Sequence, residues 1–159
     1  MNPAKPPTGL NSRTMLMVTR YLSRAHAITY RLTRGRFGGK LRVGAGFRKP
    51  VPTLLLEHRG RKSGKLFTVP VLYITDGADL VIVASAAGRD DHPQWYRNLL
   101  AHPDTYVTVG ADRRAVRAVQ ADADERVRLW PHLVSAYADF DSYQSWTVRE
   151  LPVMLLQPR

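Results

Sequence analysis

The hydrophobic pattern of the chain changes period once, near Pro50. Before it, Val18, Tyr21, Leu22, Ala25, Ile28 and Leu32 recur at helical spacing, which predicts an amphipathic helix from about Arg13 to Leu32. Gly35, Gly38, Gly39, Gly44 and Gly46 follow, predicting a helix stop and a flexible linker that runs to about residue 50. Residues 1–12 open with Pro3, Pro6, Pro7 and Gly9, and are expected to be a disordered terminus that buries nothing. Beyond Pro50 the runs shorten and become rich in strand-forming residues. Thr53–Glu57, Phe67–Thr75, Leu80–Ala84, Thr105–Val109, Arg114–Val119 and Leu151–Gln157 read as strands. Asp91–Ala101 reads as a short helix opened by Asp91 and Pro93, and Asp122–Tyr137 as a longer one whose Asp122 and Glu125 match a capping box. Pro131 should kink or divide that helix, and a further turn or two is expected around Ser142–Arg149. Helices do not alternate regularly with strands, so the expected class is α+β, with residues 51–159 closing or nearly closing a β-barrel of about six strands.

Composition sharpens this picture in three places. At 159 residues and 44% hydrophobic, the chain suffices for one core and is too short for two. Without cysteine there is no disulfide, thiolate metal site or cysteine nucleophile, which fits a reducing compartment, and the cytoplasm is the expected location. The net charge of +11 is unevenly placed: residues 1–50 hold 11 Lys and Arg and no acid, leaving 13 basic against 13 acidic residues in the remainder. A basic segment therefore precedes a formally neutral body. Met15-Leu16-Met17-Val18 is broken at once by Thr19 and Arg20, so no signal peptide is expected, and no apolar run approaches the roughly 20 residues of a membrane span.

Candidate chemistry lies in two loops. Between the first two body strands, Arg59-Gly60-Arg61-Lys62-Ser63-Gly64-Lys65 combines four cations, two glycines and a hydroxyl. Glycine lets the backbone approach closely, and Arg and Lys supply charge-assisted bonds to phosphate or carboxylate oxygens; taken alone, an ordinary solvated turn is the better account of the loop. The second loop, Ser85-Ala86-Ala87-Gly88, leads into Asp91-His92-Pro93-Gln94-Trp95-Tyr96-Arg97-Asn98-Leu99, a small-residue turn at a helix start of the kind that offers unpaired N–H groups to an anion or ring carbonyl. Trp95 and Tyr96 either flank a planar ring or pack in the core.

Together and in this order, these residues resemble the deazaflavin-dependent nitroreductase family, split β-barrel oxidoreductases that use coenzyme F420. The resemblance covers most of residues 51–159, including Gly60-Arg61-Lys62-Ser63-Gly64, Thr68-Val69-Pro70, Ala84-Ser85, His92-Pro93-Gln94-Trp95-Tyr96-Arg97-Asn98-Leu99, Tyr143-Gln144-Ser145-Trp146-Thr147 and Arg149-Glu150-Leu151-Pro152-Val153. It implies a split barrel of six or so mostly antiparallel strands, flanking helices and an N-terminal amphipathic helix. It also implies that Arg61, Lys62 and Ser63, with Gly64 and Lys65, hold the coenzyme's phosphate and acidic tail. Thr68, Val69 and Pro70 would lie beside the ring, and Ser85, Gly88, Trp95 and Asn98 would complete its pocket. The implied reaction passes hydride to a small electron-poor acceptor, a quinone, enone or nitro compound, with Tyr143 as first proton donor or oxyanion partner and Tyr137 and Ser85 behind it. Three residues depart from the family pattern: Phe67 stands where many members carry arginine, Ala86 where some carry lysine, and Phe140 where members active on bulky acceptors often carry tyrosine.

Other classes find less support. His26, His58, His92, His102 and His132 show no metal-ligand spacing, so no metal is expected. Neither a Gly-x-Ser-x-Gly elbow nor a Gly-x-Gly-x-x-Gly turn is present, which disfavours serine hydrolysis and nicotinamide bound on a dinucleotide fold. An FMN-binding oxidoreductase on the same barrel, or a non-catalytic carrier or membrane-binding protein, are the alternatives. In the N-terminal helix Arg13, Arg20, Arg24 and Arg31 fall on one face, and Val18, Tyr21, Leu22, Ala25 and Leu32 lie opposite. Residues 13–34 are therefore expected either to lie on an anionic membrane surface, where a lipid-soluble quinone resides, or to pack their apolar side on the barrel. Nucleic acid is the weakest partner, because no groove-reading motif accompanies the charge.

Overall fold

A computed structural model describes residues 5–41 and 49–159. Helix α1 (Arg13–Thr33) is followed by strands β1 (Lys40–Leu41), β2 (Val51–Arg59), β3 (Leu66–Leu72), β4 (Ile74–Asp76) and β5 (Asp79–Val83). Helix α2 (Gln94–Ala101), strands β6 (Asp104–Val109) and β7 (Asp112–Gln120), helices α3 (Ala123–Ala136) and α4 (Asp139–Ser145), and strand β8 (Val153–Pro158) complete the chain. All strand pairs are antiparallel, in the order β1-β2-β6-β7-β8-β5-β4, with β3 attached to β2. The sheet curls into a barrel that stays unpaired between β3 and β4, the split form.

The strand run expected over Phe67–Thr75 is two strands, because β3 pairs with β2 while β4 pairs with β5, and the chain changes partner at Tyr73. Strands β5 and β8 are apolar on both faces, and period-two alternation decides which core each side chain enters. Leu80, Ile82, Met154 and Leu156 point into the barrel with Leu54, Leu56, Trp95 and Leu99. Val81, Val83, Val153 and Leu155 point outward to a second core under α3 and α4, with Leu129, Leu133, Tyr137 and Phe140. Each such leucine or valine contributes about 1.5–3 kcal/mol by burial, so the β5/β8 pair ties the two cores together.

The capping box opens α3 as expected: the Asp122 carboxylate accepts from the Glu125 backbone N–H at 2.9 Å, and Glu125 accepts in return from the Asp122 N–H at 3.1 Å. Pro131 does not divide α3, which runs on to Ala136. The following helix starts earlier than expected, at Asp139, and ends at Ser145.

The N-terminal region departs most from expectation. Helix α1 docks not by its apolar stripe but by Ala27 and Tyr30. Tyr30 is 1% exposed, and its hydroxyl donates to Thr53 O at 3.0 Å and accepts from the Gly110 N–H at 2.8 Å, fastening the helix to β2 and to the β6–β7 turn. The glycine stretch expected as a flexible linker is docked as far as Leu41: Lys40 and Leu41 pair with Pro52 and Val51, and Gly39 O accepts from Thr53 N. Its later part, with Gly44 and Gly46, lies outside the described residues. Within the terminus expected to be disordered, residues 8–11 form a turn, Ser12 caps α1 by accepting from Met15 N, and Asn11 donates to Asp90 at 2.8 Å; residues 1–4 lie outside the described residues.

Candidate active site

The cation loop closes the β2–β3 hairpin. Gly60 N donates to Lys65 O and Gly64 N to Gly60 O, each at 2.8 Å, drawing the loop tight. A Cβ at Gly60 would sit 2.6 Å from Ser63 Oγ, and Gly64 adopts φ +67° over open space, so both glycines are used for geometry. Lys62, Ser63, Gly64 and Lys65 are exposed, and among the described residues none of Arg61, Lys62 and Lys65 forms an ion pair with an acid. Unpaired cations on a stiff glycine loop fit an acidic phosphate-bearing group, whereas an ordinary solvated turn does not need its cations held.

Here they are held. Arg61 donates from its backbone N to Asn98 Oδ1 at 3.1 Å, and from Nη1 to Asn98 Oδ1 at 3.3 Å and Gln94 Oε1 at 2.9 Å. Asn98 and Gln94 belong to α2, whose N-terminal end leaves the second loop, so one helix ties the two candidate loops together. Asn98, 4% exposed, spends its amide on this bracing. Trp95 is 8% exposed and packs within the barrel core, so only a small edge of its ring is open to a ligand.

The second loop is conformationally costly. Ala86, Ala87 and Gly88 adopt φ of +48°, +55° and +77° in succession, a left-handed turn that costs about 1–2 kcal/mol at each alanine. Ser85 stabilises it by accepting from Ala87 N at 3.4 Å, and Gly88 N donates to Ser85 O at 3.0 Å. Arg149 adds the larger share. Its Nε donates to Arg89 O (2.8 Å), Nη1 to Ala84 O (3.2 Å) and Nη2 to Ser85 O (2.7 Å), while Nη1 also meets His92 Nδ1 at 3.3 Å. Burial, then the neighbouring guanidiniums of Arg149 and Arg97, hold the His92 pKa below its usual value, which leaves a neutral ring able to accept that bond.

Gly88 seats the loop on α4, where a Cβ would meet Trp146 Cε3 at 2.9 Å and Tyr143 Cα at 3.0 Å. Beside it the Tyr137 and Tyr143 hydroxyls are 3.2 Å apart, and burial pushes both pKa values up, keeping both phenols protonated at neutral pH. Phe140 packs edge-on to both rings, and Trp146 stacks at a tilt against Tyr143. A cavity of about 340 Å³ adjoins this cluster, bounded by Gly88, Asp90 and Trp146 on the body and by Pro6, Pro7, Leu10 and Asn11 of the terminal segment.

Thr68, Val69 and Pro70 lie half-buried on β3, opposite Glu57, Leu56 and Leu55. Arg31 Nη2 donates to Thr68 Oγ1 at 2.6 Å, so one arginine expected on the free face of α1 reaches the strand beside the candidate site. Sequence reading missed Arg31 and Arg149 as site residues. Among the described residues no group of His, Cys, Asp and Glu could hold a metal.

Comparison with known proteins agrees with this architecture. The chain is 66% identical over 119 residues to a Mycobacterium tuberculosis protein named as an F420H(2)-dependent quinone reductase, covering 75% of this chain and all of the relative. A second M. tuberculosis F420H(2)-dependent quinone reductase is 38% identical over 141 residues, 87% of this chain and 91% of that one. A solved F420-H2-dependent reductase superposes with a TM-score of 0.62 at 33% identity, over 67% of this chain and 94% of its own. The protein is thus an oxidoreductase of the split-barrel, deazaflavin-dependent class, with coenzyme F420 as its cofactor. Within that class it belongs to the F420H(2)-dependent quinone reductase family, whose model matches residues 22–158.

Proposed function

We propose that the protein reduces a quinone, with the acidic end of the coenzyme on the Arg61–Lys65 loop and the acceptor beside Tyr143 and Trp146. The observation that carries this reading is the α2 bridge, which links an unpaired cation loop to a strained small-residue loop flanked by two protonated tyrosines. Reduced deazaflavin, when bound, supplies a hydride. The chain's own part is to hold, orient and exclude water, and alignment of donor and acceptor alone removes several kcal/mol of barrier. Arg61, Lys62, Lys65 and Ser63 would hold phosphate and carboxylates, with Gly64 keeping the loop open. Thr68, Val69, Pro70, Ser85 and Gly88 would shape the ring site. The cavity between the terminal segment and Trp146 has the size of a small-molecule pocket and is the proposed acceptor entry. Tyr143 serves as hydrogen-bond donor to the oxygen that gains charge, with Tyr137 behind it; its raised pKa makes it a better donor of a hydrogen bond than of a whole proton, which water then supplies.

Fluorescence titration of coenzyme into the double variant Arg61→Ala/Lys62→Ala tests the anion site. Each charge-assisted bond is worth about 1.5–3 kcal/mol when ordered and less when exposed, so Kd should rise about tenfold to a hundredfold with kcat at saturation retained. Unchanged affinity returns the loop to plain turn chemistry. In a separate experiment Tyr143→Phe should lower kcat with a menaquinone analogue by about ten- to a hundredfold without changing coenzyme Kd; equal turnover by the variant removes Tyr143 from the reaction.

We also propose that α1 rests on the anionic inner surface of the cell membrane. Tyr21, Leu22, Ile28 and Leu32 are 59–81% exposed on the side away from the barrel, and the Arg13, Arg20 and Arg24 row flanks them. No described helix is long and apolar enough to cross a membrane. Each arginine contributes about 1 kcal/mol at an anionic surface. Deleting the helix would also remove the Tyr30 fastening, so the suitable variant is Leu22→Gln/Ile28→Gln/Leu32→Gln. Wild type should sediment with phosphatidylglycerol vesicles, less in high salt and little with phosphatidylcholine, and the triple variant should stay in the supernatant. Equal sedimentation of the two proteins removes the helix face from the account.

A further inference from the structure

We propose that His58 is a positioning residue for the coenzyme's anion site, acting through Asn98 on Arg61; this rests on the reading of the Arg61–Lys65 loop as that site. His58 lies on β2 two residues before the hairpin loop, 7% exposed, with its ring stacked on Phe67 at 5.5 Å and 21°. No element of the hydride chemistry uses it.

The hydrogen-bond logic fixes its state. Both Arg61 groups that meet Asn98, the backbone N–H and Nη1, can only donate, so Asn98 must turn its carbonyl oxygen to them. The amide nitrogen of Asn98 then faces His58, 2.9 Å from Nδ1. An amide NH2 can only donate, so Nδ1 carries the lone pair and the ring proton sits on Nε2. Burial lowers the His58 pKa to about 4, which keeps the ring neutral at pH 7 as this arrangement requires.

The chain His58–Asn98–Arg61 therefore has one consistent direction. Were Asn98 rotated by half a turn, its nitrogen would confront two donors and Arg61 would be released. An acceptor at the His58 position is what makes the productive orientation the stable one. A free arginine on an exposed loop loses its rotamer freedom when it binds, whereas one already braced has lost it beforehand, so the brace appears as tighter coenzyme binding.

Four variants test this: His58→Phe, which keeps a ring against Phe67 and removes the acceptor; His58→Asn, whose Oδ1 can stand in for Nδ1; Asn98→Ala; and His58→Phe/Asn98→Ala. F420 affinity is read by fluorescence quenching, folding by thermal denaturation, and turnover at saturating coenzyme. His58→Phe is expected to raise Kd by about tenfold, the loss of one buried hydrogen bond, with kcat unchanged. His58→Asn should stay within about twofold of wild type, a rescue that a purely packing role would not give. Asn98→Ala should match His58→Phe, and the double variant should add nothing further; it supplies the same measurement if His58→Phe does not fold. Unchanged Kd in His58→Phe, absent rescue by His58→Asn, or additive losses in the double variant each overturn the proposal. Arg61→Ala separates the two levels: if it raises Kd while His58→Phe does not, the loop remains the anion site and only His58 is discarded, and if it leaves Kd unchanged, the reading of the loop itself fails.

Discussion

Arg149→Ala is expected to lower stability by about 3 kcal/mol and to weaken coenzyme binding at least tenfold. The guanidinium is half-buried and donates to three carbonyls, of Ala84, Ser85 and Arg89, that no other side chain among the described residues serves. Each charge-assisted bond is worth about 1.5–3 kcal/mol, and water entering the half-open site recovers part of the total, which is why the sum is discounted. The same bonds oppose the cost of two left-handed alanines, so their loss should let Ala86 and Ala87 relax and spoil the ring site they shape. Arg149→Lys should recover little, because one ammonium cannot satisfy three carbonyls set around a planar fork. Urea denaturation gives the stability change through the midpoint at constant m, and fluorescence titration gives the affinity. A folded Arg149→Ala protein with wild-type Kd and midpoint would mean that the loop supports itself.

Arg149 also marks where sequence reading stops. Its place in Arg149-Glu150-Leu151-Pro152-Val153 belonged to the recognised pattern, but its partners lie 57 to 65 residues earlier and no local period could connect them. His58 and Asn98, 40 positions apart, are the same case. Local signals, by contrast, were legible. The helical period delimits α1 to within a residue, and Asp122 with Glu125 fixes the start of α3, because caps and periods are written in adjacent residues. The two-residue β1 and three-residue β4 were not separable from their surroundings, since strands that short exist only by pairing with β2 and β5. The docking face of α1 was not legible for a physical reason: its attachment is a small contact at Ala27 plus the two hydrogen bonds of one tyrosine hydroxyl, and neither leaves a hydrophobic stripe.

Gly88→Ala is the second large expected effect, and it separates shape from chemistry because no reacting group changes. Gly88 has φ +77°, where any side chain is strained by about 1–2 kcal/mol. The added methyl would also lie 2.9 Å from Trp146 Cε3, 3.0 Å from Tyr143 Cα and 3.1 Å from Tyr143 O. Two of these are backbone atoms of α4 and cannot swing aside, so the loop and α4 must separate, an overpacking cost of about 1–3 kcal/mol. Together these predict a loss of about 3 kcal/mol, a fall in Tm of about 6–12 °C for a chain of this size. The functional consequence follows from what moves: Ser85 is on one side of the gap and the Tyr143 hydroxyl on the other, so turnover should fall further than coenzyme affinity. The anion loop is braced by α2 instead, through Gln94 and Asn98, and should hold the acidic end of the coenzyme much as before. A drop in kcat of tenfold or more, exceeding the rise in Kd, is the expected split. If affinity and turnover fall together, the two ends of the site are not independently supported; if Tm is unchanged, the loop and α4 are not packed as closely as Gly88 allows.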